Sequence, residues 1–358
     1  MTPLAEILAK QIKTTGPITL AEYMSVCLLH PKYGYYTTQD PLGLDGDFTT
    51  APEISQMFGE LIGLCLAQCW MDQGSPDQFA LVELGPGRGT LIADVMRATQ
   101  HVPGFHIAAD LHLVEASSRM RDLQAKALPE HRPTWHDSAE TLPHDRPVFV
   151  IANEFFDALP IRQFQRDPKG WREVMVGVSE DGGLQRGLSD PAPIDALKAR
   201  LEDTEPGALV ETCAHGTAVV DALARRIAEQ GGMALIVDYG GWHSDGDTFQ
   251  AVRGHRPVDP FAEPGRADLT AHVDFEALAR SALLAGCAVS QFTKQGVFLE
   301  RLGITARAQS LAKGLGNEAL EAHITAHRRL THPDEMGSLF KVLGLYPGTE
   351  SPPPGLDP

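Results

Sequence analysis

The chain has 358 residues, a net charge of −17, 43% hydrophobic residues and 22% charged residues. That length exceeds one ordinary core, so one large domain with an added lobe, or two domains, is expected. The acidic balance counts against nonspecific binding to nucleic acid or an anionic membrane, and no apolar run is long enough to span a bilayer.

At the N-terminus, Thr2-Pro3 followed by Leu4, Ile7, Leu8 and Ile12 predicts a capped amphipathic helix ending before Gly16. It carries neither a secretory pattern nor an Arg-rich, acid-free transit pattern. Thr19-Leu20-Ala21-Glu22 is a capping box that opens a second helix. His30-Pro31-Lys32-Tyr33-Gly34-Tyr35-Tyr36 then makes an aromatic turn. Gly43 to Thr50 is a polar, glycine-broken loop of the kind that folds over a ligand, with Asp47 as a candidate contact. Thr50-Ala51-Pro52-Glu53 reads as another capping box, with its helix running on through Ile54, Met57, Phe58, Leu61 and Ile62. Capping that helix is the leading role for Glu53, and substrate contact the second. The cysteines Cys27, Cys65, Cys69, Cys213 and Cys287 form no C-x-x-C pair. Buried thiols in a reducing compartment are expected, with no metal site.

The chain is organised around Phe79-Ala80-Leu81-Val82-Glu83-Leu84-Gly85-Pro86-Gly87-Arg88-Gly89-Thr90-Leu91. An apolar run reads as a buried parallel strand, three alternating glycines as a tight turn, and Leu91 to Arg97 as a helix. Strand, glycine turn and helix form the first unit of a nucleotide-binding α/β fold. The dinucleotide fingerprint needs Gly or Ala at the sixth position, where Thr90 stands, and the phosphate-binding P-loop needs a lysine that is absent. A second strand, Asp110 to Val114, ends at Glu115, at the spacing where nucleotide folds place an acid on ribose hydroxyls. Thr134 to Ser138 is a short third strand and exit loop, which puts Asp137 near a base. The fourth strand, Pro147 to Ala152, exits into Asn153-Glu154-Phe155-Phe156-Asp157-Ala158-Leu159-Pro160. Ligands of open parallel sheets sit beyond the carboxyl ends of the strands, so an amide, two acids and two aromatics there form a candidate site. The bland alternative is a helix start capped by Asn153.

From Ile161 the pattern alternates as an antiparallel excursion, and Pro191 to Pro206 is linker-like. The sheet resumes with a helix around Thr217 to Gln230 and the strand Gly232 to Gly240. Gly240 to Asp268 reads as a long polar loop, a lid or a disordered segment. The expected organisation is an N-terminal helical cover with a ligand-facing loop (1–75), the first half of the core (76–160), a β insertion (161–206), the second half of the core with C-terminal helical additions (207–345) and a disordered tail (346–358).

Several of these stretches together resemble the MidA-like family of S-adenosylmethionine (SAM) dependent methyltransferases, which includes a mitochondrial complex I assembly factor that methylates protein arginine. They are His30-Pro31-x-Tyr33-Gly34-Tyr35-Tyr36, Gly46 to Glu60, Glu83-x-Gly85-x-Gly87-x-Gly89-Thr90, Asn153 to Pro160, Asp238-Tyr239-Gly240, Asp268 to Phe275 and Gln295-Gly296-x-Phe298-Leu299. The resemblance spans nearly the whole chain. It implies a class I, Rossmann-like methyltransferase fold with a mostly parallel sheet, and SAM as methyl donor. It places Gly85, Gly87 and Gly89 at the cofactor and Glu115 on its ribose; Glu83, ahead of the glycines, is a further cofactor candidate, and sheet order puts Asp137 near the adenine. It implies a protein-arginine acceptor and offers a respiratory-complex subunit as partner. The start differs from the mitochondrial type, so a bacterial cytoplasmic member is expected.

Methyl transfer to a guanidinium needs carboxylates that orient the group and localise its charge. Glu154 and Asp157 are the expected pair, with Asn153 orienting, Phe155 and Phe156 walling the pocket, and Asp47 and Glu53 contributing from the N-terminal cover. The rival readings are a small-molecule methyltransferase, an assembly protein that holds SAM structurally, and a nicotinamide-dependent oxidoreductase.

Overall fold

Residues 2–38 and 49–358 are described by a computed structural model. The apolar runs fold as the strands of one sheet. These are β1 (Phe79–Leu84), β2 (Ala109–Val114), β3 (Thr134–His136), β4 (Val148–Asn153), β5 (Gly232–Gly241), β6 (Cys287–Val289) and β7 (Phe340–Pro347). Their order is β6-β7-β5-β4-β1-β2-β3, with two short strands attached at its margin. Strands β5, β4, β1, β2 and β3 run parallel, and β7 is antiparallel to both its neighbours. Helices cover both faces, which is why the central strands are apolar along most of their length, with polar residues such as Glu83, Asn153 and Asp238 towards their carboxyl ends. Leu81, Phe149 and Leu235 face one core with Phe58, Ile62 and Ile92; Val82, Val150 and Ile236 face the other with Leu223, Ile227 and Leu278.

Two features fix the helix that follows β1. Gly59 lets the Gln56–Asp72 helix cross the Thr90–Thr99 helix in contact, because a Cβ there would lie 2.5 Å from Asp94 Cβ. One residue along, Glu60 accepts hydrogen bonds from Arg97 (2.8 Å) and from Arg307 (2.8 and 3.0 Å) on the Ile304–Ala312 helix. Burial pushes the Glu60 carboxyl up, but the bonds from Arg307 and Arg97 override it and leave it below the ordinary range. A depressed carboxyl stabilises the fold at neutral pH, and the contribution disappears as pH falls through its folded value. Glu60→Gln should therefore cost about 1–3 kcal/mol of stability at neutral pH. In denaturant melts the gap from wild type should close below about pH 4; a gap independent of pH would contradict the account.

The β excursion comprises Arg162–Asp167, Gly170–Val178, Leu184–Leu188 and Leu209–Thr212, with Ile18–Thr19 from the N-terminus on its edge. Its last strand thus reaches Thr212, beyond the boundary at 206 read from the sequence. The 240–268 stretch is a second correction. It holds the hairpin Gln250–Arg253 and Arg256–Val258, which pairs with Asp268–Thr270. Ala251 and Leu269 are buried with Leu4, Leu8, Leu28 and Val176, and the Tyr23 hydroxyl donates to Pro260 O. This third core joins the N-terminal helices, the excursion and the hairpin. The tail is a third correction. Leu356 is buried, Gln291 N donates to Asp357 O (2.9 Å), and Arg301 pairs with Asp357 at 2.8 Å. A docked leucine and these polar contacts hold a segment whose prolines read as disordered.

Candidate active site

A cavity of about 460 Å³ opens beyond the carboxyl ends of β1, β2 and β4. Its floor is the glycine turn. Gly85, Gly87 and Gly89 all have positive φ (62°, 53° and 85°), a conformation that L side chains rarely adopt. At Gly85 a side chain is excluded for a second reason, since a Cβ would lie 2.9 Å from the Phe155 ring. The turn delivers the chain into the Thr90–Thr99 helix, which Gly89 opens with no side-chain cap and whose Ile92 N–H bonds the Glu83 carboxylate.

Glu83, Gly85, Gly87, Glu115 and Asp137 all line this cavity; Gly89 sits beneath it against Gln124. Glu115 is fixed by Ser117 N (2.8 Å) and Gln124 Nε2 (3.1 Å), and burial raises its carboxyl. Asp137 is at the rim, exposed and paired with Arg121. Gln124 went unnoticed in the sequence. It is fully buried, donates to Gly87 O (2.8 Å) and to Glu115, and accepts from Trp135 Nε1 (2.8 Å). It therefore clamps the glycine turn to the second-strand acid. The available signal was a glutamine four residues after Met120, on the apolar face of its helix.

On the opposite side stands the exit of β4. Glu154 has φ +52°, a strained setting for a side-chain-bearing residue that costs about 1–3 kcal/mol. Its Oε1 accepts from Ala51 N (3.1 Å) and Asn153 Nδ2 (3.2 Å). Asn153, Glu154 and Phe155 line the cavity. Phe156 and Asp157 do not, which corrects the expected pairing of Glu154 with Asp157 and the expected wall at Phe156. The cause is Asp238, whose Oδ2 accepts from both Phe156 N (2.9 Å) and Asp157 N (3.2 Å) and curls the segment inward. Phe156 packs with Val220 and Leu278, and Asp157 meets the Tyr239 hydroxyl.

Glu53 enters the cavity in a way the sequence misread. Thr50 makes no side-chain cap, the helix breaks after Ile54, and Ser55 caps the next one. Glu53 is thereby free to accept from the Thr90 hydroxyl (2.5 Å) at the end of the glycine turn. Asp47 lies outside the described residues.

The electrostatics suit a cation. Burial raises the Glu83 carboxyl to about 8, and burial with the neighbouring Asp157 raises Glu154 to about 8. Both are stabilised as anions when a positive group arrives beside them. Glu83 Oε2 and Asn153 Oδ1 are buried with no hydrogen-bond partner among the described residues. A cavity of this volume, a glycine turn, an acid on each of three strand ends and two unpartnered acceptors fit SAM, which brings an ammonium, a ribose diol and a sulfonium.

Strand order with an antiparallel β7, and this cavity at the strand ends, define the class I methyltransferase fold. The chain belongs to the family of S-adenosyl-L-methionine-dependent methyltransferases, whose model matches residues 61–293. It is 38% identical to protein arginine methyltransferase NDUFAF7 of Danio rerio mitochondria, over 94% of this chain and 85% of that protein. The Homo sapiens protein of the same name is 37% identical over 97% of this chain and 84% of its own length. A Burkholderia thailandensis structure bound to S-adenosyl-homocysteine superposes with a TM-score of 0.82 at 27% identity, covering 99% of this chain and 92% of the other. The protein is thus a SAM-dependent methyltransferase.

Proposed function

We propose that this enzyme methylates the guanidinium of a protein arginine. The observation that carries the reading is Glu154, a half-buried carboxylate on strained backbone, fixed by Asn153 and Ala51 in the cavity that holds the glycine turn. The names of the mitochondrial relatives support it. Bound SAM supplies a methyl group activated on a sulfonium. Glu83 and the turn at Gly85 to Gly89 hold its amino-acid end, Glu115 its ribose, and Asp137 marks the adenine side. Glu154 and Glu53 receive the guanidinium, in place of the pair Glu154 and Asp157. A carboxylate on each side fixes the plane of the group and localises its charge away from the attacking nitrogen. Phe155 walls the pocket, and Asn153 offers its free Oδ1 to a guanidinium N–H.

Asp157 acts from behind, where its charge raises Glu154. The N-terminal helices act as cover, since Ser25, Leu28, Leu29 and Tyr36 line the cavity. Tyr36 is anchored by its hydroxyl to Asp268 (2.8 Å), and its carbonyl accepts from Ser117 Oγ (2.9 Å). A respiratory-complex subunit remains a candidate acceptor. A bacterial cytoplasmic setting is part of the proposal, and the free thiols of all five cysteines suit it. The test is whether label from methyl-labelled SAM enters arginine when the enzyme is supplied with cell proteins.

A further inference from the structure

The first turn of the Ala214–Gln230 helix forms one wall of the cavity. His215 and Val219 line it, while Val220 and Leu223 on the neighbouring face are core residues. The turn is held tightly in place. Cys213 Sγ caps it by accepting from Gly216 N (3.3 Å), and a Cβ on Gly216 would lie 3.4 Å from Phe156 Cδ1. His215 is therefore fixed beside the Asn153–Pro160 segment. Its side chain is exposed, and among the described residues it makes no hydrogen bond or ion pair.

Arginine methylation must dispose of a proton. The N–CH3 bond forms as the S–CH3 bond breaks, and the bonding pair stays on sulfur as the thioether. The positive charge of the sulfonium passes to the methylated guanidinium, and one guanidinium N–H proton must leave. The acids already placed around the acceptor are poorly suited to export it. Glu154 is committed to Ala51 and Asn153, and Glu53 is committed to Thr90. Glu83 and Glu115 lie on the cofactor side; Glu83 is buried, and Glu115 is committed to Ser117 and Gln124. His215 both lines the cavity and reaches solvent, and its imidazole carries a ring nitrogen able to accept a proton.

We propose that His215 is the general base of the transfer, taking the guanidinium proton and passing it to water. This inference rests on the arginine reading above. The charged and titratable groups around it are Tyr36, Glu53, Glu83, Arg88, Glu115, Asp137 and Glu154, which line the same cavity, Asp157 behind Glu154, the Cys213 thiol at the cap of its own helix, and Glu276 and Arg280 on the helix packed alongside.

The experiment compares wild type, His215→Gln and His215→Ala with methyl-labelled SAM and protein acceptors from a lysate lacking the enzyme. The labelled amino acid is identified separately by mass spectrometry. Binding of S-adenosyl-homocysteine, measured by calorimetry, should stay within about 2-fold of wild type, which establishes that the variants are folded. The transfer rate of H215Q should fall by about 10²-fold or more. The rise of kcat/KM with pH that marks deprotonation of the base should vanish in both variants. Added imidazole should restore part of the H215A rate. A variant that keeps the wild-type rate, or a slower one that keeps the wild-type pH profile, would overturn the proposal. Label found on a residue other than arginine would overturn the arginine reading instead, and the comparison of the pH profiles would still decide the role of His215.

Discussion

Glu154→Gln should lower methyl transfer by about 10²–10³-fold while leaving S-adenosyl-homocysteine affinity within about 2-fold. The amide keeps an oxygen for Ala51 N and Asn153 Nδ2, which hold Glu154 at 3.1 and 3.2 Å, so the strained backbone and pocket shape persist. What disappears is the negative charge facing the guanidinium. In a buried site that charge is worth more than at a surface, because water does not screen it. The lost interaction strengthens as the acceptor charge is localised for attack, so the effect falls on turnover more than on cofactor binding. Asp157→Asn serves as the contrast. Asp157 lies behind the cavity wall, so its loss should slow transfer less than the loss of Glu154. Equal losses would return Asp157 to the acceptor pair; undiminished turnover in E154Q would remove Glu154 from it.

Gly87→Val should reduce SAM and S-adenosyl-homocysteine affinity by about 100-fold or more, through three effects. Gly87 has φ +53°, which a β-branched residue adopts only with strain of about 1–3 kcal/mol. Its carbonyl also anchors Gln124 and, through it, Glu115, so distortion of the turn reaches the ribose acid. Added bulk on the cavity floor competes with the ligand directly. Calorimetry reads the affinity, and thermal melting separates it from a general loss of fold. Gly87→Ala carries the strain with little bulk and should fall between wild type and G87V. Unchanged affinity in G87V would mean that the glycine turn does not contact the cofactor.

The core was legible because its signals are local. Buried parallel strands are apolar along most of their length, and the alternation of Gly85, Gly87 and Gly89 after Glu83 has few other uses. The acids at the ends of β1, β2 and β4 could be placed by strand order alone. The failures share a different cause, in that a distant partner decided each one. Thr50 to Glu53 has the spacing of a capping box, yet Glu53 binds the Thr90 hydroxyl, a contact between residues 37 apart. Asp157 follows Glu154 closely in sequence, but Asp238 on β5 turns it away from the cavity. The 240–268 stretch has its apolar residues too widely spaced to show a period, and it folds because the N-terminal helices bury Ala251 and the Phe261 ring. Gln124 reads as an ordinary helix residue until the turn it clamps is in view.

Methyl transfer from SAM to protein arginine can be read directly from the amino acid that carries the label. Proteins from cells lacking the enzyme are incubated with methyl-labelled SAM and purified wild type or E154Q, then hydrolysed to amino acids and separated. Labelled methylarginine is expected with wild type and at most a trace with E154Q. Label confined to small molecules or to other amino acids, with SAM consumed, would contradict it.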